Sequence, residues 1–539
     1  MSTECFLGID VGTASARAGV FDAAGTLLAA AASGIPLHRN GQAVEQSSAE
    51  IWTAVVDAVR SAVAEAGVQD EDVRGIGFDA ACSLVVVGPG GEPLAVGDAG
   101  DGSRDVIVWM DHRATDQAAR INRTGADVLR YVGGTMSPEM QLPKVLWLAE
   151  HSPTTFRQAW LFMDLVDYLT WRATGSLARS TCTVTCKWTY LPHEDRFDPS
   201  FFRAIGLGSI ADEGFARIGS DIVPGGTPLA SGLSSPAAAE LGLAAGTPVA
   251  AGLIDAHAGG IGTIGAPGGP GGVMTRMAYV FGTSACTMTS TVDPTFVPGV
   301  WGPYLTAMVP GLWLNEGGQS AAGAALDRLV ELHPMHAAVA DLAAAQGTTP
   351  IAWLAEQAEA RGGAAAVAAL VGAVHVVPEF LGNRAPFADP DALAVIAGLG
   401  MDASIESLIG QYVAGLCGVG YGAKQIIRAL RDSGVPVEAI VVSGGAARSP
   451  LTRQLLADAT GLPVAVPATT EPVLLGAAML GTVAAGRHPT IEAAMTAMSR
   501  IAGAHQPDPT TSGWHQSRFA AFETLQRAAR TVRDLTRAG

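Results

Sequence analysis

Phe6-Leu7-Gly8-Ile9-Asp10-Val11-Gly12-Thr13-Ala14-Ser15-Ala16-Arg17-Ala18-Gly19-Val20-Phe21-Asp22 divides by residue type into strand, turn and strand. Phe6 to Asp10 is a short apolar run ending in a carboxylate. Val11 to Ala16 is small and hydroxyl-bearing, and Arg17 to Asp22 returns to a strand pattern. Ala23-Ala24-Gly25 then turns into a third strand, Thr26-Leu27-Leu28-Ala29. Strand, tight loop and strand make an antiparallel hairpin, not the strand-to-helix junction of a P-loop or dinucleotide fold. The distinction is chemical. A glycine-rich loop that opens a helix holds phosphate with the helix terminus, whereas a hairpin offers backbone N–H groups and hydroxyls.

Outward from this hairpin, Ile51, Val55, Val59 and Val63 recur at helical spacing and predict a helix from Ser48 to Ala66. Val73 to Phe78 and Leu84 to Val87 read as strands, the second closed by Pro89-Gly90-Gly91. Alternating strands and helices indicate an α/β domain. The plan recurs later. Met277 to Phe281 leads through Gly282-Thr283-Ser284-Ala285 into Cys286 to Thr289. Ala439 to Val442 runs into Ser443-Gly444-Gly445, a helix begins near Ser449 with Pro450 in its first turn, and Pro463 to Val466 forms the next strand. Two hairpins of matching chemistry predict two related α/β halves facing one cleft. The Gly/Pro-rich stretch Gly262 to Gly272 marks the boundary, giving expected domains 1–265 and 272–539.

Composition bounds the rest. The 539 residues suffice for two to four domains, and 48% hydrophobic against 15% charged residues excludes intrinsic disorder. A net charge of −17 argues against nucleic-acid binding through a general basic surface. The longest near-apolar run, Ala364 to Val377, is broken by Gly372 and His375 and is too short to span a bilayer. Met1 to Cys5 has no basic region, so a signal peptide is not expected. The six scattered cysteines read as buried free thiols in a reducing cytoplasm. Cys182 and Cys186 are four apart, with no second Cys/His pair near in sequence to complete a zinc site. Phe519 to Leu535 is an amphipathic helix read as a packing or dimer element, and a homodimer is expected.

The chemistry concentrates in a few places. Gly12, Thr13 and Ser15 let backbone and hydroxyls approach a polyphosphate, Arg17 adds a cation, and Asp10 at its strand end can hold Mg²⁺ through water. The alternative is an ordinary hairpin with a capping aspartate. Gly282, Thr283 and Ser284 repeat the loop and strengthen the phosphate reading. In Gly252-Leu253-Ile254-Asp255-Ala256-His257-Ala258-Gly259-Gly260, Asp255 follows a strand and can accept the proton of a hydroxyl attacking a γ-phosphate, worth ~10²–10⁴-fold. A helix-capping aspartate is the alternative there, and His257 competes as base. Gly444, Gly445 and Arg448 suggest a platform for a flat nucleotide base. Trp109, Trp147, Trp160 and Trp188 read mostly as core.

Taken in order, these stretches make the chain resemble the FGGY family of carbohydrate kinases, within the actin/hexokinase/Hsp70-like superfamily, and its ribulokinase branch of pentulose kinases. The resemblance is carried by Gly8 to Thr13 with Arg17, Trp109 to Ala114, Pro143 to Trp147, Thr185 to Tyr190, Gly252 to Gly260, Phe281 to Ser284, Glu316 to Ser320 and Phe380 to Pro386. Glu471-Pro472 with Gly476-Ala477-Ala478 completes the set. It implies two RNase-H-like domains around a cleft, sugar mainly on the first and MgATP mainly on the second. It further implies Asp255 as general base, Asp10 and Asp255 near Mg²⁺, Thr283, Gly323 and Gly444 to Gly445 at ATP, and Glu316 and Lys187 on sugar hydroxyls. Asp111 is read as a sugar contact or, alternatively, as a structural ion pair with Arg113. Where glycerol kinases carry an Arg-Glu pair, Ala80-Ala81 leaves room for a longer substrate, with Ala81 beside it. The expected reaction is phosphorylation of D-ribulose. The alternatives are L-ribulose, xylulose or a sugar alcohol, and, from another class, a non-catalytic ATP-dependent regulatory or scaffold protein.

Overall fold

The hairpin forms as read and becomes the middle of a larger sheet. In the computed structural model, which describes residues 4–97 and 102–537, Cys5–Val11 pairs antiparallel with Ser15–Asp22, and Ser15–Asp22 with Leu27–Gly34. On the other side Val73–Ala80 lies parallel to Cys5–Val11, and the short strand Leu253–Ile254 parallel to Val73–Ala80. The second half repeats this order. Trp313–Gln319, Ala285–Thr291 and Arg276–Phe281 form an antiparallel meander, followed by the parallel strands Ala439–Ser443 and Val464–Pro467. Trp301–Leu305 and Ile501–His505 extend this second sheet at its edges. Two mixed sheets with one strand order are the two-domain actin/hexokinase plan.

The helix Ser48–Ala66 has the bounds its periodicity predicts and ends at Gly67 in the left-handed conformation. Its Ile51, Val55 and Val59 cover one face of the first sheet, where Leu7, Ile9 and Val11 point. The opposite face is covered by a helix from much later in the chain, Pro472–Ala484, whose Leu474 and Ala478 share a core with Phe6. Glycine permits this approach. A Cβ on Gly8 would stand 2.0 Å from the Leu474 carbonyl oxygen, and one on Gly77 only 1.9 Å from that of Ala477. Gly77→Ala is therefore expected to cost about 3 kcal/mol or more, because helix and sheet must separate. Chemical denaturation of the variant measures this, and an unchanged midpoint would contradict the packing argument.

The helix Asp255–Ile264 crosses beside Pro472–Ala484 through the same device, a Cβ on Gly262 falling 2.0 Å from the Pro472 carbonyl oxygen. Gly262, read from sequence as the start of a linker, thus lies inside a buried helix. Its glycine serves close packing, and the connecting stretch begins only after Ile264. The C-terminal helix Ser512–Arg537 lays Phe519 and Phe522 against Tyr421 of Ile405–Asp432, with ring centroids 5.9 and 5.8 Å apart, so the start of its apolar stripe packs within the chain while Val532 and Leu535 stay exposed. Among the described residues, no helix is long and apolar enough to cross a membrane.

Candidate active site

Parallel pairing brings the ends of three adjacent strands to one edge, and each end carries a carboxylate. Asp10 stands beside Asp79 across the Cys5–Val11/Val73–Ala80 pair, and Leu253 stands opposite Asp79, which places Asp255 just beyond. Asp10 is buried and bonded by Arg17, from Nε at 2.8 Å and Nη2 at 2.5 Å, while Arg17 Nη1 reaches Glu471 at 2.7 Å. The expected cation of the loop is therefore clamped between two carboxylates. Asp255 opens its helix, and its Oδ1 accepts the Ala256 N–H at 2.7 Å. Burial and then the Asp10 charge push its carboxyl up to about 6, against the Ala256 N–H, His257 and Lys187.

Asp79 escaped the sequence reading. It is fully buried and neither oxygen finds a hydrogen-bond donor. Burial, then Asp10 and Asp255 on either side, push its pKa well above the usual carboxylate range. An orphaned carboxylate between two others is a hard-oxygen donor set that fits a Mg²⁺ ion and its waters. Without the ion the charge is a liability, so Asp79→Asn is expected to stabilise the magnesium-free protein by about 1 kcal/mol, roughly 1–2 °C in melting temperature. The sign follows from linkage: a raised folded-state pKa costs stability at neutral pH, and the gain vanishes below about pH 4, where the group is protonated folded or unfolded. Melting curves in chelator at pH 7 and pH 4 test both halves. A lower melting temperature for the variant at pH 7 would contradict the assignment.

The two glycine–hydroxyl loops stand at matching strand ends. Gly12 N donates to the Ser15 carbonyl at 3.0 Å and Gly282 N to that of Ser284 at 2.9 Å. The Thr13 hydroxyl accepts the Trp109 indole N–H at 2.9 Å, which fixes the first loop and leaves the hydroxyl proton to donate. In the second loop, Gly323 N donates to the Gly282 carbonyl at 3.0 Å, bringing the start of the helix Gly323–Glu331 against Gly282-Thr283. A Cβ on Gly323 would lie 2.7 Å from that carbonyl. Gly444 has φ +91° and sits against the Phe281 carbonyl, Gly445 faces open space, and Arg448 is exposed beyond them. The helix Pro450–Thr460 begins where the sequence predicts, and Ser449 caps it by accepting the Thr452 N–H.

Around Lys187 and Glu316 the halves meet. Glu316, on the second sheet, lies 3.3 Å from His257 Nε2 on the helix of Asp255, and both are buried. Burial would raise Glu316, but His257, then Lys187 and Arg384, bring its carboxyl down to about 2. Lys187, on the helix Thr181–Trp188, is buried with its ammonium 5.4 Å from the Trp301 ring, and Arg384 flanks the same ring at 5.5 Å. Ala81 is buried at the strand end, its N–H donated to Val11 at 2.9 Å. Asp111 departs from the sugar reading. One oxygen accepts the Val44 N–H at 2.6 Å, the other the Arg113 N–H at 2.9 Å, and the Arg113 guanidinium bonds both. With every lone pair facing an internal donor, the ion-pair alternative is the one its geometry supports. Of the thiols, Cys82 and Cys286 are only half-buried, a correction to the reading of all six as interior. Nothing local in the sequence marks Trp301 as a site residue, whereas Arg384 lies within the motif Phe380 to Pro386.

Two like-built α/β domains, with carboxylates at the strand ends of one and glycine–hydroxyl loops from both, define the actin/hexokinase class of protein. The chain belongs to the FGGY family of carbohydrate kinases. The family's N-terminal domain matches residues 5–262 and its C-terminal domain residues 277–485. It is 42% identical to an FGGY carbohydrate kinase domain-containing protein of Danio rerio, over 97% of this chain and 98% of that one. It is 38% identical to a D-ribulokinase of Saccharomyces cerevisiae, over 89% of this chain and 72% of that one. The structure of a xylulose kinase from Brucella ovis superposes with a TM-score of 0.80 at 21% identity, covering 98% of this chain and all of that one, a likeness of fold.

Proposed function

We propose that this chain transfers the γ-phosphoryl of ATP to the terminal hydroxyl of a pentulose, D-ribulose, forming D-ribulose 5-phosphate. The observation that carries the reading is Asp255, a half-buried carboxylate at the start of a helix. It has phosphate-type loops on one side and the Lys187/Glu316 pair on the other. Asp255 takes the proton from the attacking hydroxyl, and backbone N–H groups and hydroxyls of the 12–15 and 282–284 loops steady the phosphates. Asp10, Asp79 and Asp255 would hold Mg²⁺, which when bound neutralises charge on the phosphate oxygens. Gly444 and Gly445 offer the flat surface for the nucleotide base. Lys187 and Glu316 bind sugar hydroxyls, and the small Ala80 and Ala81 leave length for five carbons.

The D-ribulokinase likeness over most of the chain supports D-ribulose. A panel of D-ribulose, L-ribulose, D-xylulose, ribitol and glycerol, read by phosphosugar formation with ATP, tests it. The kcat/KM for D-ribulose is expected to exceed the others by about tenfold or more, since buried polar groups reject misplaced hydroxyls. Preference for another polyol by that margin would replace the substrate. ATP binding without transfer to any of them would favour the non-catalytic alternative.

A further inference from the structure

Cys182 and Cys186 stand one turn apart on the helix Thr181–Trp188, and the fold brings His257 to them from 75 residues away. Cys182 Sγ lies 3.0 Å from His257 Nδ1, and the three ligand atoms are all within 4.8 Å of one another. All three residues are buried. Around a tetrahedral Zn²⁺, with Zn–S near 2.3 Å and Zn–N near 2.0 Å, such atoms stand roughly 3.5–3.8 Å apart. The cluster is thus close to ligating geometry.

Its surroundings match a metal site as well. Metal-bound histidines almost always give their other ring N–H to a carboxylate or carbonyl. His257 Nε2 faces Glu316 Oε2 at 3.3 Å, leaving Nδ1 toward the thiols. The Ile254 N–H donates to Cys182 Sγ at 3.4 Å, a bond that favours sulfur in its anionic form. Phosphoryl transfer needs neither cysteine.

We propose that Cys182, Cys186 and His257 form a binding site for a thiophilic divalent cation, with Zn²⁺ the best match to two sulfurs and one imidazole. One tetrahedral position remains for a water or other small ligand. Oxygen-seeking Mg²⁺ is disfavoured by this donor set, which separates the site from the carboxylate cluster. The cation ties the helix that carries Lys187 to the helix that carries Asp255, and through His257 it orients Glu316. It therefore positions sugar-side groups without touching sugar. The site stands on its own geometry and is read by metal signals, whatever the substrate proves to be.

The test uses the full-length protein, reduced and freed of metal by chelator, then titrated with Cd²⁺ and separately with Co²⁺. One tight equivalent is expected, with ultraviolet thiolate-to-cadmium charge transfer and the intense visible bands of tetrahedral cobalt. The melting temperature should rise with metal concentration. Cys182→Ser and Cys186→Ser should each weaken Cd²⁺ binding by about 100-fold or more, and Glu316→Gln by about 10–100-fold. Cys82→Ser/Cys286→Ser, which removes the two half-buried thiols, should leave the signal in place. Absence of the charge-transfer band in wild-type protein overturns the proposal, independently of whether any variant folds. So does a band that survives loss of both Cys182 and Cys186.

Discussion

Asp255→Asn is expected to lower kcat by about 10²–10⁴-fold while leaving the KM for ATP and for sugar within a few-fold. The asparagine keeps the shape and the bond that Oδ1 accepts from the Ala256 N–H, so the helix start and the fold should survive. What disappears is the ability to take a proton as the sugar oxygen attacks. Burial and the neighbouring Asp10 set this carboxyl at about 6, close to neutrality and so near the optimum for a general base that must still be ionised. For wild-type protein, kcat/KM should accordingly fall as pH drops through about 6. The residual activity of the variant should lose that limb. A coupled assay of ADP release over the pH series reads both quantities. Near-wild-type kcat in a correctly folded variant would remove Asp255 from its role as base.

Much of this arrangement was legible because it is local. The opening hairpin, the helix Ser48–Ala66 and the helix start near Ser449 with Pro450 in its first turn are decided by residues within a few positions of one another, and they form as read. What escaped depends on which strands become neighbours. Phe78-Asp79 ends an apolar strand in the manner of Ile9-Asp10, so a signal existed. Only the parallel register, with Asp79 beside Asp10, turns it from a possible cap into a member of a carboxylate cluster. Asp111 shows the reverse case. Its spacing to Arg113 allowed two readings, and the deciding donor, the Val44 N–H, lies 67 residues away. Gly262 differs from its linker reading because glycine suits linkers and tight helix contacts alike, and only the helix Pro472–Ala484 lying against it distinguishes them. The His257–Glu316 contact joins the two halves of the chain across 59 residues, beyond the reach of any periodicity.

That contact, with Lys187 beside it, should be the most strongly coupled part of the site. Burial opposes the Lys187 ammonium, and the surrounding Cys82, Glu316 and Tyr304 groups outweigh it, holding its pKa well above the usual lysine range. Glu316 is held low in turn, chiefly by His257 and then by Lys187 and Arg384. Each charge thus depends on the others, and truncating one leaves its partner buried without compensation. Lys187→Met and Glu316→Gln are each expected to cost about 2–5 kcal/mol in kcat/KM for the pentulose, roughly 30- to 4,000-fold, with KM for ATP little changed. The Lys187→Met/Glu316→Gln double variant should lose less than the sum, by about 1 kcal/mol or more, because the second removal deletes a group already stranded. Discrimination among pentuloses should shrink together with affinity, since a site that no longer presents a fixed donor and acceptor has little left to leave unpaired in the wrong epimer. Thermal melts separate loss of the site from loss of the fold. Single and double effects that add within about 0.3–0.5 kcal/mol would show that Lys187 and Glu316 act on the substrate independently, and the picture of one mutually supported charge network across the cleft would fail.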